Sequence, residues 1–288
     1  LDIGLPPIEN WGSDELKQRI VPTVLRGEKI AALAITEPSG GSDVANLKTR
    51  AVSEGEFYRV NGSKTFITSG CRADYYTVAV RTGDVGYGGI SLLLIEKERA
   101  GFSVGQPLKK MGWWASDTAE LFFDDVLVPK SNLIGAENAG FFVIMSNFQK
   151  ERLNLAVMAN MTAQLALEEC LNYVHQRVAF GKPLAKMQVI RHKLADMATE
   201  LEASREFTYR VAAQIADGIP AVKEVSMAKN FATQVSDKLT YEAVQIFGGM
   251  GFMRASLVER LYRDNRILSI GGGTHEIMNE VIAKQLGL

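Results

Sequence analysis

Residues that bind metals or form disulfides are scarce in this sequence. Two cysteines and three histidines occur among its 288 residues. Cys71 and Cys170 form no CxxC pattern, so the sequence supports neither a disulfide framework nor a zinc site. The histidines lie far apart and match no metal-binding motif. We therefore expect no metal site in this chain.

Excess charge and long apolar runs are lacking as well. The formal net charge is -1, which gives no general attraction to nucleic acid or to acidic membranes. No apolar run approaches the ~20 residues that a membrane-spanning helix needs. No signal-peptide pattern is found, and because the first residue is Leu1 we expect the start to be a cut, a processed end or the edge of a fragment. The expected compartment is the cytoplasm, or the mitochondrial matrix in a eukaryote.

The residues that are present predict three successive regions, and the first is helical. In residues 1–29, Ser13 precedes two acidic residues and a helical stripe of apolar side chains, which predicts a helix start. Pro6 and Pro7 are expected to break the chain before it. We interpret this region as the remnant of an N-terminal helical domain.

The second region, residues 30–135, has the pattern of strands. Short apolar runs alternate with glycines and charges, and Asn61-Gly62 is typical of a hairpin turn between the strands Phe57–Val60 and Thr65–Thr68. The other predicted strands are Ile30–Ile35, Tyr75–Arg81, Ile90–Ile95, Phe102–Gln106 and Ala119–Val126. Because no helix-length segment separates the strands, the pattern argues against a Rossmann fold. We predict an antiparallel β-barrel or sandwich.

The third region, residues 136–288, has helical periodicity. Long segments with apolar residues at helical spacing are joined by short connections, which is typical of an antiparallel four-helix-type bundle. The predicted helices are Phe141–Val174, Met187–Ile215, Ala221–Phe247, Ser256–Arg263 and Thr274–Leu286. The predicted fold class is therefore α+β, with a middle β domain followed by a helical bundle.

The stretch AITEPSGGSD, residues 34–43, combines hydroxyls, an acid and two glycines. Gly40 and Gly41 let the backbone approach a ligand closely. The hydroxyls and bare amides then become donors for an anion or for the polar edge of a ring. The same composition is also typical of a surface turn between two strands. The residues alone leave both interpretations open.

Six segments, in order along the chain, resemble motifs of the acyl-CoA dehydrogenase family of flavoproteins. They are AITEPSGGSD (34–43), NGSKTFITSG (61–70), MGWWASDTAELFFDDVLVP (111–129), RVAFGKPLAKMQ (177–188), QIFGGMGF (245–252) and GGGTHEIMNEVIAKQ (271–285). The resemblance covers essentially the whole chain, although family members carry a longer N-terminal helical domain. It implies FAD-dependent oxidation of an acyl-CoA thioester to the trans-2-enoyl-CoA, in which a base removes the α proton and hydride passes from the β carbon to flavin N5.

The resemblance also implies partners and a metabolic setting. Electrons would pass to an electron-transfer flavoprotein, and FAD shared between subunits would require a homo-oligomer, usually a tetramer built as a dimer of dimers. The setting would be fatty acid or branched-chain acyl metabolism. Two alternatives are an acyl-CoA oxidase-like flavoprotein that uses oxygen, and a truncated, non-catalytic relative that acts as an interaction module.

The catalytic base implied by the resemblance is Glu151. Many family members carry a Tyr-Glu-Gly-Thr segment whose Glu is the base, but here the segment is Gly271-Gly272-Gly273-Thr274. The isovaleryl-CoA and long-chain types have Gly or Ala there and carry their Glu on the first long C-terminal helix, where Glu151 stands. Glycine at 272 removes a side chain that would crowd it. The alternative is a solvated helix charge paired with Lys150 or Arg152.

The resemblance implies further contacts with FAD and substrate. In the β domain, the implied FAD contacts are Ile35, Thr36, Gly41, Ser42, Phe66, Ile67 and Thr68. In the helical region they are Arg177, Phe180, Gln188, Gln245, Gly248, Gly249, Thr274 and Glu276, several of them towards the FAD of a neighbouring subunit. The implied substrate contacts are Ser42, Arg152, Gly271 and Gly272.

Overall fold

The structure, a computed structural model, describes residues 3–288. The described residues form two compact units. The first comprises the chain up to Lys110 together with Trp114–Phe148, and the second comprises Met111–Trp113 with Gln149–Leu288. The first unit contains the large β-sheet and the second is mainly helical, which confirms the predicted α+β class. The first two residues of the predicted N-terminal remnant lie outside the described residues.

Two helices, α1 (Pro6–Trp11) and α2 (Asp14–Leu25), open the first unit. The Ser13 hydroxyl accepts a hydrogen bond from the Leu16 amide at 3.2 Å, so the predicted helix start is confirmed. The expectation that the two prolines break the chain is wrong, because Pro6 begins α1. Proline is tolerated there, since its missing N–H would have no intrahelical partner at a helix start.

The sheet of the first unit has eight strands. They are β1 (Ala31–Ala34), β2 (Arg50–Glu54), β3 (Phe57–Thr68), β4 (Tyr75–Arg81), β5 (Ile90–Glu96), β6 (Phe102–Val104), β7 (Thr118–Pro129) and β8 (Leu133–Ile134). The order is β6-β7-β3-β2-β4-β5-β8, with β1 beside β4. Pairing is antiparallel except that β1 and β2 run parallel to β4. No ring of paired strands closes among the described residues, so a barrel is not confirmed and a sandwich stays a prediction.

The predicted hairpin turn at Asn61-Gly62 is wrong. Both residues lie inside β3, which runs without a turn from Phe57 to Thr68. The Asn61 amide Nδ2 donates to Asp125 Oδ1 at 2.9 Å, and its Oδ1 accepts the Asp125 backbone N–H at 2.9 Å, so this side chain bridges β3 and β7. The hairpin turn falls earlier, at Gly55 with φ +56°, and joins β3 to β2, a strand that the sequence pattern did not predict.

The helices of the second unit match the predicted ones closely. They are α3 (Gly140–Gln176), α4 (Gln188–Ala216), α5 (Val222–Phe247), α6 (Leu257–Asn265) and α7 (His275–Gln285), with a short hairpin of β9 (Val178–Ala179) and β10 (Lys182–Pro183) before α4. The first residues of α3, up to Phe148, belong to the first unit. Leu167, Leu201 and Leu239 join α3, α4 and α5 in one apolar core. A four-helix arrangement is not confirmed.

No helix within residues 3–288 combines the length and the apolarity that a membrane span requires.

Candidate active site

Glu151 lies on α3, within the second unit. Its Oε2 atom is buried and has no hydrogen-bond partner among the described residues. Burial raises the pKa of this carboxyl to about 7, although the charges of Arg152 and Lys229 oppose the shift. A carboxylate with this pKa and an unoccupied lone pair is suited to accept a proton near neutral pH.

A glycine turn before α7 lies against Glu151. Gly272 has φ +64°, a conformation that side chains other than glycine rarely adopt. A Cβ atom built on Gly272 would lie 2.6 Å from Leu155 Cδ1 and 3.8 Å from Glu151 Oε1. The turn therefore brings a backbone without side chains up to the carboxylate, as the sequence predicts for this position.

Two buried cations hold the carbonyl groups of this turn. Arg152 Nε donates to the Gly272 carbonyl oxygen at 2.9 Å, and the Lys229 ammonium donates to that of Gly273. Both side chains are almost inaccessible to solvent. Burial lowers the pKa of Arg152 from its usual value and lowers that of Lys229 to about 8. The cations thus stabilise the turn and place positive charge near Glu151.

Sequence reasoning missed Lys229. The one sequence signal for its burial is its position on α5. Lys229 lies beside Val225, Ala228 and Ala232, which are all buried. A lysine within an apolar helical stripe is unusual unless it has a partner.

In the first unit, the glycine-rich loop follows β1 directly. Ile35 is buried, whereas the loop from Pro38 to Asp43 is exposed. A Cβ atom built on Gly40 would meet nothing within 4 Å, so the backbone of the loop tip is open to a ligand. The Thr36 carbonyl accepts the Thr65 amide at 2.9 Å, which joins the loop to β3.

Phe66 on β3 has a strained backbone and an exposed ring. Its φ is +58°, and 68% of the residue is accessible to solvent. For a bulky residue this φ is an outlier of the kind that clusters at functional sites. Thr68 is exposed as well, but Ile67 packs in the core, so Ile67 can meet a ligand only through its backbone.

A second feature missed by sequence reasoning is a buried ion pair below the loop. Lys64 Nζ lies 2.8 Å from Glu37 Oε1, and both side chains are buried. Burial lowers the pKa of Lys64 to about 8. Burial also acts against ionisation of Glu37, yet the Lys64 charge and hydrogen bonds lower the pKa of Glu37, so we assign it as a carboxylate.

The remaining predicted FAD contacts of the second unit lie at helix ends and turns. Tyr173, near the end of α3, stacks on Phe247 at the end of α5, with ring centroids 4.0 Å apart. This stack brings the two helix ends together. The exposed predicted residues near these ends or at helix starts are Arg177, Phe180, Gln188, Gln245, Gly248, Gly249 and Glu276. Thr274 instead caps α7, since its hydroxyl accepts the Ile277 amide at 3.3 Å.

Two family models match successive parts of the chain. The family model described as "Acyl-CoA dehydrogenase, C-terminal domain" matches residues 138–287, and "Acyl-CoA dehydrogenase, middle domain" matches residues 32–126. An acyl-CoA dehydrogenase of Bacillus subtilis is 43% identical over 99% of this chain and 75% of its own length. The long-chain specific acyl-CoA dehydrogenase of Sus scrofa mitochondria is 40% identical over 99% of this chain and 67% of its own length.

A solved structure is also similar to this chain in sequence and in fold. The crystal structure of acyl-CoA dehydrogenase from Geobacillus kaustophilus has a TM-score of 0.98 and 44% identity, over 100% of this chain and 76% of that one. Family matches in both the middle and the C-terminal region, with relatives well above 30% identity, settle the assignment. The chain belongs to the acyl-CoA dehydrogenase family, whose members are FAD-dependent oxidoreductases.

Proposed function

We propose that this chain oxidises acyl-CoA thioesters to trans-2-enoyl-CoA with Glu151 as the general base. The observation that carries the proposal is the buried, unpartnered Oε2 of Glu151 beside Gly272, a position without a side chain. This is the base placement of the isovaleryl-CoA and long-chain types. The comparisons do not favour the oxidase or the non-catalytic alternative.

The charges around Glu151 suit proton abstraction from carbon. The proton beside a thioester carbonyl is weakly acidic, so the base needs a raised pKa and no competing hydrogen bond. Arg152 Nε and the Lys229 ammonium donate to the glycine carbonyls. Their charges limit how far burial raises the pKa of Glu151, while an oxygen of the carboxylate stays available to the substrate.

The residues of the chain fit FAD by the chemistry of their donors and surfaces. In the first unit, the exposed backbone of Gly41 and the hydroxyls of Thr36 and Ser42 suit phosphate and ribityl oxygens, and the exposed Phe66 ring offers a flat apolar surface. When bound, FAD supplies the hydride acceptor. The proposed contacts of this unit are Ile35, Thr36, Gly41, Ser42, Phe66, Ile67 and Thr68.

In the second unit, the Arg177 guanidinium suits a pyrophosphate by its fork of donors. Gly248 and Gly249 leave open space where a Cβ atom would stand, so a ligand can approach their backbone. The proposed contacts towards FAD, partly that of a neighbouring subunit, are Arg177, Phe180, Gln188, Gln245, Gly248, Gly249, Thr274 and Glu276. The proposed substrate contacts are Ser42, Arg152, Gly271 and Gly272.

We also propose the domain organisation and the partners that the family implies. Residues 1–29 would be the end of an N-terminal helical domain, 30–135 the middle β domain and 136–288 a helical bundle. The assembly would be a tetramer of the dimer-of-dimers kind, an electron-transfer flavoprotein would accept the electrons, and the compartment would be the cytoplasm or the mitochondrial matrix.

Replacement of the proposed base tests the function directly. Glu151→Gln keeps the size of the side chain but removes its basicity, so FAD and acyl-CoA should still bind while anaerobic bleaching of the flavin slows by at least ~10²–10⁴-fold. Stopped-flow absorbance measures the bleaching rate. Glu168→Gln is the matched control, because Glu168 is an exposed residue of the same helix whose Oε1 accepts from Gln164. Fast bleaching by the Glu151→Gln protein would move the base elsewhere.

A further inference from the structure

The Glu37–Lys64 pair of the first unit has more partners than an ordinary ion pair. Lys64 Nζ donates to Glu37 Oε1 at 2.8 Å and to the Ile35 carbonyl at 3.0 Å. Glu37 Oε1 also accepts the Thr49 amide at 2.8 Å, and its Oε2 accepts the Lys48 amide at 2.6 Å. Two charged side chains therefore satisfy two backbone amides and one carbonyl in a dry interior.

These contacts tie together three segments of the chain. Glu37 and Ile35 follow β1, Lys48 and Thr49 follow the glycine-rich loop, and Lys64 belongs to β3. The two ends of the loop are thus held at one point, while its tip, including the glycines, remains exposed. A loop that is fixed at its stem and open at its tip can present its amides to a ligand without being ordered first.

On the strand side, the pair lies next to the irregularity that exposes Phe66. Pairing of β3 with β7 shifts by one residue between Val60 and Gly62, and shifts again between Lys64 and Ile67. Lys64 and Thr65 are both buried, so the side-chain alternation changes phase there and Phe66 turns outwards with its strained φ. The position of Lys64 therefore bears directly on where the Phe66 ring is presented.

A contribution to folding stability alone does not explain such a pair. Removing two charges from water offsets most of their attraction, and apolar side chains of similar volume often serve stability equally well. What apolar side chains could not provide is the set of directed hydrogen bonds to Ile35, Lys48 and Thr49. These directed hydrogen bonds to the backbone distinguish the Glu37–Lys64 pair from an apolar replacement.

We propose that Glu37 and Lys64 are positioning residues, which fix the glycine-rich loop and the Phe66 segment of β3 at the spacing that an isoalloxazine ring and its diphosphate chain require. This inference rests on the FAD contacts proposed above for the first unit. Neither side chain needs to touch FAD, because both act through the backbone of the residues that do.

The test compares the FAD affinity of a Lys64 variant with that of a variant destabilised elsewhere in the same unit. Lys64→Met removes the charge and the donor to Ile35, and FAD should then bind the apoprotein roughly 10–100-fold more weakly, since small misplacements of binding groups have effects of that size. Flavin fluorescence titration measures the dissociation constant. Leu93→Ala is the control, because Leu93 is a fully buried core residue of the same unit that lies on β5 opposite Val78 and Leu133. It should lower the thermal midpoint and leave FAD affinity unchanged.

Equal FAD affinity of the Lys64→Met protein and the parent would overturn the proposal, and so would equal weakening by Leu93→Ala. If Lys64→Met does not fold, the double variant with Glu37→Gln leaves no unpaired buried charge and should fold. It still lacks the donor to the Ile35 carbonyl, so weak FAD binding is expected and parent-like binding would refute the proposal.

A parent chain that binds no FAD would contradict the proposed function rather than the positioning role. Amide hydrogen exchange then decides the latter without the cofactor. Lys64→Met should speed exchange in residues 38–49 and 65–68 but not in β5, whereas unchanged exchange in both loop and strand would rule the role out.

Discussion

At the scale of single residues, the pKa of Glu151 depends on the charges of Arg152 and Lys229 as well as on its burial. Because burial raises the pKa of Glu151 to about 7, the base is deprotonated only as pH rises through neutrality. Flavin reduction should therefore accelerate between about pH 6 and pH 8. The positive charge of Lys229 lowers this pKa, so Lys229→Met should move the rise to higher pH. Anaerobic reduction rates across pH measure both effects.

Lys238 provides the matched control for this experiment. It lies on the same helix, but it is exposed and pairs with Glu200. Lys238→Met removes the same charge and should leave the pH profile where it is, because exposed charges are screened by water. A profile that shifts equally in both variants, or in neither, would show that Lys229 does not govern the base.

At the residue level, the sequence indicated the closeness of Gly272 to Glu151 but missed side chains whose partners come from distant segments, and the catalytic role of Glu151 stays a prediction. Glu151 and Gly272 stand together as the motif comparison predicts. Lys64 and Lys229 were missed, because sequence patterns treat lysine as a surface residue. Their burial depends on Glu37 and on the Gly273 carbonyl, which lie 27 and 44 residues away along the chain.

At the scale of elements, the glycine turn before α7 should tolerate no side chain at its centre. Gly272→Ala meets Leu155 and also adopts an unfavourable positive φ. Gly218→Ala, after α4, has a similar φ of +74° but open space around the added methyl group. Gly218→Ala should cost about 1–2 kcal/mol of unfolding free energy, and Gly272→Ala more. Denaturant unfolding measures both.

The catalytic consequence separates the two variants further. Displacement of the turn should slow flavin bleaching in the Gly272→Ala protein, because the turn carries the carbonyls that Arg152 and Lys229 hold near Glu151. Gly218→Ala should bleach at the parent rate. If the two proteins had equal stability and equal rates, the close approach of Gly272 would have no function.

Helices were predictable from the sequence to a greater extent than strands. The bounds of α3 to α7 agree with the periodicity to within two residues, since helical contacts are local. The prediction of a turn at Asn61-Gly62 was wrong because the Asn61 side chain donates to Asp125 on another strand. Gly62 packs closely as well, since a Cβ atom on it would lie 2.7 Å from the Cα of Thr49. Strand pairing is decided by such distant partners.

At the scale of the whole molecule, Phe180 is the residue that most clearly suggests a contact with FAD or with another subunit. It is 94% exposed, at the turn between β9 and β10, with φ +48°. A ring this exposed buries little apolar surface within a single chain, and a positive φ at a bulky residue is of the kind that clusters at functional sites. Phe180→Ala should therefore leave the thermal midpoint of the apoprotein unchanged but weaken FAD binding and subunit association. Fluorescence titration and light scattering measure these.

Val85→Ala serves as the control for an exposed apolar side chain, because Val85 is 83% exposed in the first unit. It should change neither FAD affinity nor molar mass. A Phe180→Ala protein with the affinity and mass of the parent would contradict the proposed contact between subunits.

The extra residue of β3 between Lys64 and Ile67 changes which positions along the strand face the core. Before it, even-numbered side chains such as Tyr58 and Val60 face inwards, and after it the odd-numbered Ile67 does. Deleting Thr65 would remove the extra residue, so that Lys64, Phe66 and Ile67 followed in regular alternation, with Ile67 still facing inwards and Thr68 still outwards. One codon lost here would leave both faces of the strand unchanged, whereas one codon lost from a regularly paired part of the strand would exchange the inside and the outside on one side of the gap.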